Sequence, residues 1–156
     1  MSEGKNVEYL VGKKAKLNFV LEPFSPKIIN FLDDLSKSLD NEFNNKNFPD
    51  LRALSFFCRK NNILNLRDKH QNKDSIRFGL GLLFHITPSN IPTNFAYSLI
   101  FGLITGNSNV VKVPSKKFDE IKIICKSINH ILSKKKHFQI KNMISVIRYY
   151  SIDQLL

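Results

Sequence analysis

The sequence predicts an α/β protein, and three observations carry that expectation. A near-continuous apolar run, Leu80, Leu82, Leu83, Phe84 and Ile86, has the length and composition of a strand covered on both faces. A turn bracketed by Pro88 and Pro92 leads from it into a helix over residues 93–104, apolar nearly all round and stopped by Gly106 and Asn107, which both tolerate positive φ. Val110, Val111, Lys112 and Val113 then form a second short strand, closed by Pro114 and Ser115. With an amphipathic helix over residues 117–132 and a third strand over 143–149, the order is β-α-β-α-β. That order implies parallel strands joined by right-handed crossovers.

The remaining elements follow from N- to C-terminus. Residues 1–22 are polar apart from Val20 and Leu21, and predict an arm or a small strand. Ser25-Pro26 marks a helix start, because proline suits the first turn. Ile28, Phe31, Leu32, Leu35 and Leu39 then share one helical face. Residues 41–49 read as a loop, and a second helix follows with Leu51, Leu54, Phe57 and Cys58 inward. Asn61-Asn62 is expected to break it, and residues 68–74 form a charged linker. In the later amphipathic helix Ile121, Ile124, Cys125, Ile128 and Leu132 face inward. No internal repeat is present. The division expected is an N-terminal helical segment, 1–75, and a partial nucleotide-binding α/β domain, 76–156.

Composition narrows the function classes. A chain of 156 residues, 42% hydrophobic, can bury a sizeable core. Its most apolar stretch, residues 95–105, is about half of what a membrane span requires. No segment has the make-up of a secretory signal, so a cytoplasmic location is expected. Two cysteines make no disulfide framework. The net charge of +11 is spread along the chain, with one tight run at Lys134-Lys135-Lys136. No zinc spacing, helix-turn-helix signature or basic-aromatic interleaving accompanies it, which argues against nucleic acid as partner. An anionic nucleotide or coenzyme A would use the same charge.

The segment HITPSNIP, followed by GNSNVVKVPS, resembles the aldehyde dehydrogenase superfamily. Within it the likeness is strongest to the acyl-CoA reductase family that includes the fatty-acid reductase of bacterial luminescence. Pro88-Ser89-Asn90 stands where the superfamily has Pro-Trp-Asn, and His85 and the ending VIRYYSIDQLL suit the reductase branch. The resemblance spans residues 51–156. It implies a partial Rossmann-like unit of the aldehyde dehydrogenase fold, preceded by N-terminal helices. The implied chemistry is reduction of acyl-CoA by NADPH to aldehyde, coenzyme A and NADP, in full-length relatives that are homo-oligomeric. The alternatives are another enzyme of the superfamily, such as an ordinary aldehyde dehydrogenase or a glutamyl-phosphate reductase, and a small non-catalytic nucleotide- or protein-binding module.

By that resemblance Asn90 is the catalytic candidate, its amide donating to the acyl oxygen under attack; an amide held between prolines also serves simply as turn chemistry. Lys112 falls where relatives bind the cofactor ribose, and a solvated strand-end lysine is its plainer reading. Many NAD-preferring relatives carry glutamate three residues further on. Here Ser115, Lys116 and Lys117 remove that repulsion and add attraction, which favours NADPH over NADH. His85 is either a contact in the substrate channel or a satisfied core residue, and Gly106-Asn107 is a helix stop before it is a ligand contact. Cys58 and Cys125 lie in apolar helical stripes and do not suit a nucleophile. The implied thiol therefore belongs to a catalytic domain outside these 156 residues, which should be inactive alone. The last strand, 143–149, is expected to present an exposed, aggregation-prone edge.

Overall fold

The computed structural model describes residues 7–13, 19–42, 48–71 and 74–149. It is a mixed α/β structure with one four-stranded sheet and six α-helices. Strand β1 spans Val7–Val11, and helices α1 (Pro26–Glu42), α2 (Pro49–Cys58) and α3 (Lys60–His70) follow. Then come β2 (Leu82–Ile86), α4 (Asn94–Ile104), β3 (Ser108–Lys112) and α5 (Asp119–Leu132). A 3-10 turn (Lys135–His137), α6 (Phe138–Lys141) and β4 (Ile144–Tyr149) complete the order.

The strands lie in the order β1-β4-β3-β2. β2, β3 and β4 are parallel, as the alternation with helices predicts, with His85 beside Val111 and Val111 beside Val146. β1 runs antiparallel to β4, with a bulge between Tyr9 and Val11. The small strand expected within residues 1–22 is β1 at Val7–Val11, so a strand precedes the helices. One expectation is corrected here. β4 is not an exposed edge, because β1 pairs along its outer side and Ile144–Arg148 are buried. Among the described residues the edge strands are β1 and β2.

Paired residues of neighbouring strands point to the same side of a sheet, which sorts the side chains into two faces. Leu83, His85, Asn109, Val111, Ile144 and Val146 share one face, and α4 packs on it so closely that a Cβ on Gly102 would lie 1.8 Å from the Asn109 Oδ1. Phe84 and Ile86 point the other way and are largely exposed. β2 is therefore covered on one face only, not on both. An all-apolar run carries no mark of which face stays open.

The helices pack around one hydrophobic core. α1 buries Ile28, Phe31, Leu32, Leu35 and Leu39, the stripe its spacing predicts, and the Ser25 carbonyl accepts the Ile28 and Ile29 amides. Each such side chain contributes about 1.5–3 kcal/mol by leaving water. Leu51, Leu54 and Cys58 of α2 and Ile121, Ile124, Cys125, Ile128 and Leu132 of α5 are buried as expected, while Phe57 is half-buried. The break after α2 comes at Arg59, whose ψ of 136° is extended, and not at Asn61-Asn62. The Lys60 amide donates to Asp33 Oδ1 of α1 at 3.1 Å, so a carboxylate distant in sequence starts α3, and the two asparagines fall inside its first turn. α3 also runs to His70, into the expected linker. At the far end of α4, Gly106 has φ +86°, and a Cβ there would lie 2.0 Å from the Leu21 carbonyl oxygen. Its role is that of a helix stop, at a close backbone junction.

Candidate functional site

The polar residues singled out by the sequence collect at the C-terminal end of the parallel strands, the end where ligands of α/β sheets bind. β2 runs out at Ile86 into residues 87–91, which lead into α4. β3 runs out at Lys112 into residues 113–118, which lead into α5. One hydrogen bond joins these connections: Thr87 Oγ1 donates to the Lys112 carbonyl at 3.1 Å. Asn90 is exposed on the first of them, and no described residue takes up its amide.

The second connection is held by β4 at three successive points. The Val113 amide donates to the Ile147 carbonyl at 2.9 Å, Arg148 Nε to the Pro114 carbonyl at 3.1 Å, and Ser115 Oγ to the Tyr149 carbonyl at 3.2 Å. Arg148 is almost fully buried and also faces Glu8 of β1 at 3.3 Å, so its guanidinium anchors the loop and pairs its own charge. Lys112 lies half-buried with Nζ 4.1 Å from the centroid of the Tyr149 ring. Such a cation–π contact positions an ammonium while leaving its protons available to a ligand. Lys116 is exposed and sits 5.0 Å from the Phe118 ring. Lys112, Ser115 and Lys116 therefore occupy one strand end and its loop. Residues 108–118 contain no carboxylate. Two ammonium groups with no carboxylate in the loop fit a phosphorylated nucleotide, and the Ser115 proton is given to the Tyr149 carbonyl.

Two contributors were not anticipated, Thr87 and Tyr149. Tyr149 lies two residues beyond Ile147, the register partner of Lys112, so it emerges on the same face. The pairing of β3 with β4 is what reveals it. His85 does not join the site: it lies on the helix-covered face, where Nε2 donates to Asn109 Oδ1 at 2.9 Å, while Asn109 Nδ2 donates to the Asn107 carbonyl at 2.7 Å. It is a satisfied structural residue, tying β2 to β3.

Neither cysteine reaches this end of the sheet. Cys58 and Cys125 are buried in α2 and α5, and burial pushes both thiols up to about 12. Both are protonated at neutral pH, and a thiol of that kind does not attack a thioester.

A cavity of about 660 Å³ lies elsewhere, at the opposite end of the sheet, with Leu66, Phe78, Leu80, Phe101 and Ile104 in its wall. None of Asn90, Lys112, Ser115 or Lys116 lines it. Volume and chemistry thus point to different places. The cavity wall also carries His70, Gln71, Ser75, Arg77, Thr105 and Asn107, but the residues that the sequence assigns to a nucleotide all lie at the other end of the sheet. Among the described residues no group of three or more His, Cys, Asp or Glu could hold a metal, and no helix is long and apolar enough to cross a membrane.

The model of the acyl-CoA reductase (LuxC) family matches residues 23–156. No curated protein and no solved structure matches the chain.

Proposed function

The chain belongs to the acyl-CoA reductase (LuxC) family, and we propose that it supplies the cofactor-binding and oxyanion-contacting part of an NADPH-dependent reduction of acyl-CoA. The reaction is acyl-CoA, NADPH and a proton giving aldehyde, free coenzyme A and NADP. The observation that carries the reading is the bond from Thr87 Oγ1 to the Lys112 carbonyl, which ties the Asn90 turn to the lysine strand end.

Lys112 offers its ammonium to the ribose hydroxyls, steadied by the ring of Tyr149. Ser115 and Lys116 receive a 2′-phosphate, with no carboxylate in residues 108–118 to repel it. Bound NADPH supplies the hydride. Asn90 donates its amide to the thioester carbonyl oxygen, and such a donor lowers the barrier by roughly 3 kcal/mol when charge collects there. The nucleophilic thiol comes from outside these 156 residues, because Cys58 and Cys125 are buried and protonated. The chain alone therefore turns over no acyl-CoA. The aldehyde dehydrogenase superfamily fold and its Rossmann-like unit belong to this same reading, supported by the parallel β2-α4-β3-α5-β4 order.

Fluorescence titration with NADPH and NADH tests it. The chain should bind NADPH more tightly, and Ser115→Glu should weaken NADPH by about 10- to 100-fold more than NADH, because a carboxylate there replaces a charge-assisted hydrogen bond with repulsion. Equal weakening of both cofactors, or no binding of either by the unaltered chain, would refute the assignment.

A further inference from the structure

The run Lys134-Lys135-Lys136 plays no part in the proposed chemistry, and the fold gives it a definite setting. It opens the connection from α5 to β4, beside the start of β4 and so at the opposite end of the sheet from Asn90 and Lys112. Two side chains pin this connection inward. His137 is buried, its Nε2 2.8 Å from Asp34 Oδ2 and its ring edge-on to Phe31, and Ile140 is buried one turn later. With those two in the core, Lys134, Lys135, Phe138 and Lys141 face solvent, Phe138 at 67%. Lys27 of α1 joins them, its ammonium donating to Gln139 Oε1. Of these lysines only Lys136 meets a carboxylate among the described residues, Asp34 at 2.5 Å. Residues 121–152 contain no Asp or Glu at all.

We propose that this turn is a contact site for an anionic bilayer surface, with Phe138 entering the acyl boundary and Lys27, Lys134, Lys135 and Lys141 resting among the lipid headgroups.

The make-up of the patch selects a bilayer over other anionic partners. Lysine is depleted in protein–protein interfaces and arginine enriched, because a guanidinium grips a carboxylate bidentately and an ammonium does not. Every cation here is a lysine. Single-stranded nucleic acid is held by several aromatic side chains along a basic groove, whereas here one ring stands on a helix of a single turn. Four uncompensated lysines around one exposed apolar side chain suit a lipid surface. The ring leaves water for the acyl boundary, and the long lysine stems keep the ammonium groups at headgroup depth. Covering those four ammonium groups with further protein would require a carboxylate for each, so the patch does not depend on how far the chain extends. With this end of the sheet against a bilayer, the strand ends that carry Asn90 and Lys112 face away from it. The proposal is independent of the cofactor assignment, which concerns those strand ends.

Sedimentation of the complete chain with sucrose-loaded vesicles tests it. Vesicles of phosphatidylcholine alone are compared with vesicles carrying about 30% phosphatidylserine, at about 0.1 M salt. Binding should require the anionic lipid. Each lysine near such a surface is worth about a fivefold factor, so Lys134→Gln with Lys135→Gln should weaken binding by about 25-fold. Lys60→Gln with Lys69→Gln, the same change of charge at exposed positions on α3, should weaken it by less than about threefold. Phe138→Ala should weaken vesicle binding by about tenfold and leave binding to heparin unchanged. If those variants do not fold, Phe138→Trp decides, because the chain has no other tryptophan. Its emission should move to the blue on anionic vesicles and be quenched by lipid brominated along the acyl chain. Equal binding to both vesicle types, an equal loss in the α3 control, or tryptophan emission unmoved by vesicles would each overturn the proposal. Vesicle binding untouched by Phe138→Ala and matched by heparin would mean charge attraction alone, and overturns it as well.

Discussion

On the face of the sheet that α4 covers, Asn109, Val111 and Val146 are fully buried, whereas Phe84 and Ile86, on the opposite face of the neighbouring strand, stand in solvent. That opposite face is not open throughout, for Ser145 and Ile147 of β4 lie on it and are buried. The contrast is between the side covered by α4, where Gly102 lets the helix settle onto β3, and the outer side of β2 alone. The same apolar side chain is thus stability on one face and an unpartnered surface on the other. Substitutions on the two faces should differ accordingly.

The largest effect is expected beneath the covering helix. Leu103→Ala removes a side chain with no solvent exposure and should lower the free energy of unfolding by about 2–5 kcal/mol in urea titrations. Next comes Gly102→Ala, which puts a methyl group 1.8 Å from Asn109 Oδ1 and so displaces the acceptor that His85 needs. Overpacking together with a disturbed buried hydrogen bond should cost roughly 2–4 kcal/mol. A destabilisation below about 0.5 kcal/mol, the surface level, would mean that α4 stands far enough off the sheet to admit a methyl group.

A smaller, pH-dependent effect is expected where α1 meets the turn before α6. Burial works against the charge on Asp34, but hydrogen bonds from His137 at 2.8 Å and Lys136 at 2.5 Å prevail and hold its pKa below the ordinary 3.8. A carboxylate with a lowered native pKa contributes stability above its unfolded pKa and loses it as pH falls through the native one. Asp34→Asn should therefore be less stable than the unaltered chain at neutral pH, and the two should converge as pH falls through the lowered native pKa of Asp34. Parallel curves across that window would show that Asp34 carries no linkage. The smallest effect belongs to the open face. Phe84→Thr should change the free energy of unfolding by no more than about 0.5 kcal/mol in urea titrations.

Much of the fold was legible because periodicity reports burial locally. The stripe from Ile28 to Leu39 and the one from Ile121 to Leu132 are buried as their spacing predicts, and the parallel order of β2, β3 and β4 follows from strands alternating with helices. The glycine stop at Gly106 was equally visible, since a positive φ there demands a residue without Cβ. What escaped depended on distant partners. Asp33 starts α3 from another helix, so Asn61-Asn62 misled. β1 takes the outer side of β4 from the other end of the chain, so β4 was misjudged as an edge. At the candidate site the sequence named Asn90, Lys112, Ser115 and Lys116. Thr87 and Tyr149 emerged only once strand register set the residues side by side.

By itself the sequence determined the helical stripes, the turn and stop residues, the family likeness and the inertness of two cysteines set among apolar neighbours, because each depends on side chains within a few turns of one another. The tertiary structure alone decided which face of β2 is open, which strands are the edges, and that Lys112 rests on Tyr149. Those depend on pairings between residues far apart in the chain. A pairing of that kind exists only after the loop between its partners has closed, and no local pattern records which loops close.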